Sequence, residues 1–313
     1  MKMRCKINGI SLVLILSLML NTNIANGKLL SAGKNFSSSK TLRTMARIRM
    51  AYGDYTKAQP LAEQALSLAK RNNASNSEIA MCLIDLAILY KNQDKLVDAE
   101  KMCVLGLQLQ EKALYKNHPY IAYTLRSLSS IYQQQSRYSE AADALDKAIT
   151  VMLDSHGEND KAMAPFFVDI GKLNTARGNL EKSEIYYEKA MSLINISYGP
   201  DHLYTATVLG GLAQLYTAQG RYSEAETVIN RALATQEKIY GSNHHLIVSS
   251  WLTKAKLCQI NGDRTEAENL IRRALAAVEK TGNAALLAKV ELDVRKIRVS
   301  KLVAYAPAEI SIK

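Results

Sequence analysis

Residues 212–232 read LAQLYTAQGRYSEAETVINRA, and this stretch decides how the chain folds. Leu212, Leu215 and Tyr216 stand at i, i+3 and i+4, an apolar stripe of helical spacing. Ala225, Ile229 and Ala232 form a second stripe further on. Gly220 lies between them and supplies the positive φ with which a helix ends. The stretch therefore predicts a helix, a tight turn and a second helix with small residues on its inner face. Small faces matter because helix axes approach to about 8 Å only where the contacting side chains are short.

The pattern recurs with a period of 42 residues. Leu86, Leu128, Ile170 and Leu212 fall in register, as do Leu89, Ile131, Leu173, Leu215 and Leu257. The turn position is filled by Asp94, Ser136, Gly178, Gly220 and Gly262. Small residues follow at Ala99, Ala141, Ser183, Ala225 and Ala267, and again at Gly106, Ala148, Ala190, Ala232 and Ala274. A copy one residue out of phase contributes Gly53, Ala58, Ala65 and Leu66. Six copies thus occupy residues 39–280. Asp94 and Ser136 must adopt a glycine-like conformation at a cost.

These residues resemble the tetratricopeptide repeat family. Its succession of Leu, small, Tyr, Gly, Ala, aliphatic and Ala is met by Leu212, Ala213, Tyr216, Gly220, Ala225, Ile229 and Ala232. Its Trp position is mostly replaced and its late Pro is missing. The long period is similar to that of kinesin light chains. So are the connectors Asn117-His118-Pro119, Tyr198-Gly199-Pro200-Asp201-His202 and Tyr240-Gly241-Ser242-Asn243-His244. The resemblance implies an all-α fold, a right-handed α-solenoid of about six helix-turn-helix repeats over residues 39–280. Leu286, Leu287, Val290 and Val294 mark a capping helix over residues 281–302, and residues 303–313 form a tail.

In that family the first helix of each repeat lines a concave partner-binding face. The resemblance projects Arg43, Arg47, Ile84, Ile88, Tyr123, Arg126, Lys172, Gln214 and Lys256 onto it. The projected positions hold no acid. The expected partner is a protein or peptide, preferably an acidic or carboxylate-terminated segment held by Arg43, Arg47, Arg126 and Lys172. The family's carboxylate-clamp pattern of Lys and Asn is not reproduced.

Composition agrees with a helical stack. Hydrophobic residues make up 48% and charged residues 22%, which excludes a disordered chain. Five prolines and fifteen glycines are too few for a collagen-like or turn-dense all-β chain. Residues 1–27 read as an export signal: Lys2, Arg4 and Lys6 precede the apolar run Ile10 to Leu20, with Ala25 and Gly27 placed for cleavage. The run is too short to span a membrane, so contact with the membrane is expected only through this transient signal. A polar leader follows over residues 28–38. The expected location is periplasmic or extracellular. Forty Lys and Arg against 29 Asp and Glu give +11, which falls to +8 without Lys2, Arg4 and Lys6. Cys82, Cys103 and Cys258 fall on apolar helix positions and read as buried small hydrophobes, with Cys82 and Cys103 the nearest candidates for a bridge.

The sequence holds no phosphate-binding loop, dinucleotide fingerprint, H-E-x-x-H or G-x-S-x-G motif, so no catalytic, cofactor-binding or metal-ligating residue is assigned and no enzyme is expected. His118, His202 and His244 occupy the same connector in different repeats. Repeats lie about 10 Å apart, whereas Zn–N bonds are about 2.0 Å, so the three cannot share a metal. Asp160 stands at the equivalent place, which suits a turn or N-cap role. Gly210-Gly211 sits inside a helical stripe, where close packing explains it better than phosphate contact. Nucleic acid is not expected, because the positive charge is spread rather than clustered with aromatics. The alternatives are an envelope protein that binds anionic polymers or membrane surface, or an enzyme or metal-dependent protein without a recognisable motif.

Overall fold

The computed structural model describes residues 38–304, with side chains to residue 299. The expected signal segment, most of the leader and most of the tail lie outside the described residues. Thirteen α-helices are present among the described residues, with no strand. They form six pairs: α1 (Ser39–Ala51) with α2 (Tyr55–Arg71), α3 (Asn76–Asn92) with α4 (Leu96–Ala113), and α5 (Pro119–Gln134) with α6 (Tyr138–His156). Then come α7 (Ala164–Ala176) with α8 (Leu180–Tyr198), α9 (Leu203–Ala218) with α10 (Tyr222–Tyr240), and α11 (Val248–Asn261) with α12 (Arg264–Glu279). A single helix, α13 (Ala284–Ala304), closes the stack. Among the described residues no helix is long and apolar enough to cross a membrane.

Each pair is stitched by the same turn. Gly53, Gly178, Gly220 and Gly262 have positive φ, and Asp94 and Ser136 take it at 60° and 61°. In the first five pairs the amide after the turn residue reaches back to the last turn of the first helix, as in Lys95 N to Tyr90 O at 2.9 Å, Arg137 N to Tyr132 O at 2.9 Å and Arg221 N to Tyr216 O at 2.8 Å. This is the 6→1 bond of a Schellman ending, and it points the second helix back along the first.

Beyond the turn, Ala99, Ala141, Ala148, Ala190, Ala225 and Ala232 are wholly buried. Ser183 takes the alanine position in the fourth pair and satisfies its hydroxyl by donating to Gly171 O at 2.8 Å. Tyr187 on α8 fills the space between the fourth and fifth pairs at 1% exposure. It fits only because glycines face it: a Cβ at Gly211 would meet its ring at 2.5 Å, and one at Gly171 at 2.9 Å. Gly210, next door, is not crowded: a Cβ there would make only an ordinary contact, with Ser250 Oγ at 3.8 Å.

The connectors begin each new pair with a side-chain cap. His118 Nδ1 accepts from Tyr120 N at 3.1 Å, His202 Nδ1 from Tyr204 N at 3.2 Å and His244 Nδ1 from Leu246 N at 3.3 Å. Asp160 Oδ1 does the same for Ala162 N at 2.7 Å. The His202 and His244 rings lean on the tyrosine that ends the preceding helix, with centroids 4.6 Å apart for Tyr198–His202 and 4.9 Å for Tyr240–His244. Outside, arginines bracket neighbouring pairs. Arg137 joins Glu100 at 2.7 Å and Glu140, and Arg221 joins Glu184 at 2.7 Å and Glu224 at 2.6 Å.

The stack curves until its ends meet. Asn283 Nδ2, at the start of α13, donates to Asn92 O at the end of α3 at 2.8 Å. Gly53, in the first turn, lies so close to the far end that a Cβ there would stand 2.8 Å from Thr281 Cγ2 and 3.1 Å from His245 Cε1. The Tyr55 and His245 rings meet edge-on at 6.5 Å. The turn edge of the first two pairs thus rests on the connectors before α11 and α13.

Adjacent glycines should respond oppositely to alanine. Gly211→Ala forces a methyl into the Tyr187 ring and should lose about 1–2 kcal/mol of stability after its helix-propensity gain. Gly210→Ala meets no obstacle and should gain about 0.5–1 kcal/mol. Urea unfolding of both variants checks the pair, and equal shifts would remove the packing explanation.

Candidate partner-binding groove

The first helices of the pairs face the inside of the curve. Lys91 at the end of α3 lies within electrostatic reach of Arg126 on α5, Asp169 and Lys172 on α7, and Lys289 on α13. Burial there holds the Lys91 ammonium below its ordinary pKa, aided by the neighbouring cations and opposed by Asp169. Its Nζ also donates to Ser130 Oγ at 3.2 Å.

The residues projected onto this face divide into two groups. Arg43 and Arg126 hold the stack together. Arg43 Nε donates to Asp85 Oδ2 of the next pair at 2.7 Å, with 13% and 8% of the two side chains exposed. Arg126 Nε donates to Asp169 Oδ2 of the next pair at 2.5 Å, and its guanidinium lies 5.7 Å over the Phe166 ring. Ile84 turns toward Gly106 of its own pair, where a Cβ would meet it at 3.1 Å. Tyr123 leans on Phe166 with ring centroids 5.5 Å apart, yet its side chain remains exposed.

The second group is available to a partner. Arg47, Gln214 and Lys256 are exposed, and Lys172 lies 3.8 Å from Asp169 with nearly half its side chain in solvent. Ile88 is half-buried between them along the face. Gln214 Nε2 donates to Ser249 Oγ at 3.5 Å and Thr253 Oγ1 at 3.4 Å, so it is oriented by α11.

The projected positions hold no acid, but the face does. Asp85 and Asp169 stand one residue beyond Ile84 and Val168 and neutralise the two arginines. Burial pushes the Asp85 carboxyl above its ordinary value, against the pull of Arg43 and Arg47. The sequence carried a signal for both, since Asp85 follows Arg43 by one repeat length of 42 residues and Asp169 follows Arg126 by 43.

Where the curve closes, the concave face deepens into a cavity of about 650 Å³. Val248, Leu252, Leu286 and Val290 give it an apolar wall. Lys256, Lys289 and Lys296 bring positive charge, against the single acid Asp293, which lies 3.4 Å from Lys296. Tyr55 and His245 complete the lining. The contributions of α13, Tyr55 and His245 have no signal in the local sequence, because contacts across the closed curve bring them together.

This arrangement suits recognition of an anionic, partly apolar segment. The thiols are poor nucleophiles: Cys82, Cys103 and Cys258 are free and buried, and burial pushes Cys82 up to about 11 and Cys103 up to about 12. Among the described residues, no group of three or more His, Cys, Asp or Glu is placed to hold a metal.

Removing one partner of the buried pair should be costly. Asp85→Ala strands Arg43 and should lose about 3 kcal/mol, whereas Arg43→Met with Asp85→Leu should recover most of it. Urea unfolding of the single and double variants reads this directly. A coupling near zero would mean the pair does not join the first two units.

Residues 86–154, 163–238 and 213–280 match the sequence model of the tetratricopeptide repeat. NprR in complex with its cognate peptide NprX is similar in structure at a TM-score of 0.64 and 13% identity, over 94% of this chain and 81% of that one. A Rap protein complexed with competence and sporulation factor gives a TM-score of 0.60 at 11% identity, over 85% and 93% of the two chains. BtubC (BKLC) from P. vanneervenii gives 0.53 at 18% identity, over 83% and 95%. At these identities the likeness is one of fold. No curated protein matches the chain in sequence.

Proposed function

The chain belongs to the tetratricopeptide repeat family, and from that membership we propose that it is an exported, non-catalytic scaffold or adaptor holding an acidic protein or peptide segment in its concave face. The observation that carries this reading is the charge imbalance inside the curve. Arg47, Lys256 and Lys289 are exposed and make no ion pair with the described residues, while Lys172 and Lys296 share Asp169 and Asp293. An incoming carboxylate would replace water on these cations and gain charge-assisted hydrogen bonds. Tyr123, Ile88 and the apolar cavity wall would take its side chains. Two solenoids of the same fold, NprR and the Rap protein, are complexed with a peptide and with competence and sporulation factor. They support a peptide-sized partner for this face. Export rests on the charge and apolar layout of residues 1–27.

Arg43 and Arg126 contribute indirectly on this reading, since each is already paired and shapes the face. Binding then falls mainly to Arg47, Lys172, Gln214 and Lys256. Anionic envelope polymers are the second reading, favoured by the +8 of the chain without residues 1–27.

Fluorescence anisotropy with labelled Asp- and Glu-rich peptides tests the proposal. Arg47→Glu with Lys256→Glu should weaken binding roughly a hundredfold, since a hydrogen bond to a charged group is worth about 1.5–3 kcal/mol. An unchanged Kd would end the groove assignment. Steep salt dependence with no preference among peptide sequences would favour the polymer reading.

A further inference from the structure

Three contacts join the first two helix pairs to the last elements of the chain: Asn283 to Asn92 O at 2.8 Å, Gly53 against Thr281 and His245, and the Tyr55 ring on that of His245. They connect residues separated by most of the chain length, and among the described residues no continuous core crosses between them. Tyr55 and His245 also line the 650 Å³ cavity. The contact between the two ends is therefore one wall of the candidate binding chamber.

The two sides of this contact are anchored unequally. Around the last pair and α13 the core holds Ile229, Trp251, Leu257, Leu270, Ile271, Val278, Val290 and Val294 in one cluster. The buried residues of the first pair are divided between two small clusters, Ala46, Tyr55, Ala58 and Ala62 with Leu86 and Leu89 of the second pair in one, and Leu42, Ala65 and Ala69 with Cys82 in the other. These smaller clusters give up less apolar burial when the first pair moves, and the movement must carry or part the buried Arg43–Asp85 pair that ties it to α3. His245 contributes one further weakness, for its Nε2 is buried without a hydrogen-bond partner.

We propose that the first helix pair is a gate, latched by Gly53 and Tyr55 onto His245 and Thr281, whose opening widens the cationic chamber at its Tyr55–His245 wall. A glycine is required at the latch for space as well as for its turn. At Gly220, which has nearly the same φ, a Cβ would meet nothing within 4 Å. A Cβ at Gly178 would likewise meet nothing, whereas Gly53 has the far end of the solenoid against it. A partner in the chamber would touch Tyr55 on one side and α11 and α13 on the other, and so would hold the latch shut. That gating role rests on the partner-binding reading above, whereas the latch itself does not.

Spin labels on Tyr52→Cys and Leu246→Cys, both exposed and each next to a latch residue, report the closure. The full chain is used with Cys5→Ser, and the buried native thiols stay unlabelled. Pulsed electron paramagnetic resonance should show a predominantly short distance. Gly53→Leu should shift the population to long distances. Gly220→Leu bears the same turn strain and should leave it short. His245→Glu disturbs the latch from the opposite side without touching a turn, and should also lengthen the distance if Gly53→Leu fails to fold. A long distance in the parent chain, or identical distributions for the two glycine variants, would overturn the latch.

The gate is read separately, without any partner. Maleimide labelling of Thr253→Cys, a buried position of the chamber lining, should be several-fold faster with Gly53→Leu than with Gly220→Leu. Equal rates would overturn the gate. Loss of acidic-peptide binding alone would bear only on the partner-binding reading.

Discussion

The architecture depends on how closely two helices can approach at the alanine and glycine positions that recur every 42 residues. Those residues carry almost no apolar area themselves. What they provide is proximity, which allows the larger side chains around them to bury against the neighbouring pair. Tyr187 is the clearest case, a large ring accommodated because Gly171 and Gly211 leave it room. The left-handed turn contributes to the same end, since it sends the second helix back against the first at a fixed offset. Asp94 and Ser136 accept that conformation without being glycine, which shows that pairing outweighs the local backbone cost.

A second layer of order is electrostatic. Arg43–Asp85 and Arg126–Asp169 link the first pair to the second and the third to the fourth on the inner face, while Arg137 and Arg221 link pairs on the outer face. Both sets inherit the repeat spacing. Charges that seem available in a linear sequence are partly committed to holding successive units in register. The inner face is consequently less cationic than its arginine and lysine content suggests, and its uncommitted charge gathers toward α11 and α13.

Much of this was legible in the sequence. The 42-residue period located the pairs, the turn position identified two strained non-glycine residues, and the shared connector position of His118, His202, His244 and Asp160 pointed to capping. Projection of the concave face located the residues but not their partners, because it tracked four positions per helix and Asp85 and Asp169 fall between them. Closure was not legible at all. It follows from the summed rotation between pairs, a quantity to which every interface contributes and which no single motif encodes. Tyr55 and His245 illustrate this, since neither has a neighbour in sequence that would mark it as part of a cavity wall.

Most solenoids gain or lose repeats at little structural cost, because each unit touches only its neighbours. Contact between the first and last units removes that freedom here. Deleting one 42-residue unit would leave the ends facing each other across a gap, and adding one would carry Gly53 past His245 and Thr281. The number of units is thus fixed by geometry, as the number of staves is fixed in a barrel. A chain of this kind can change its inner surface residue by residue, but its length can change only together with its pitch.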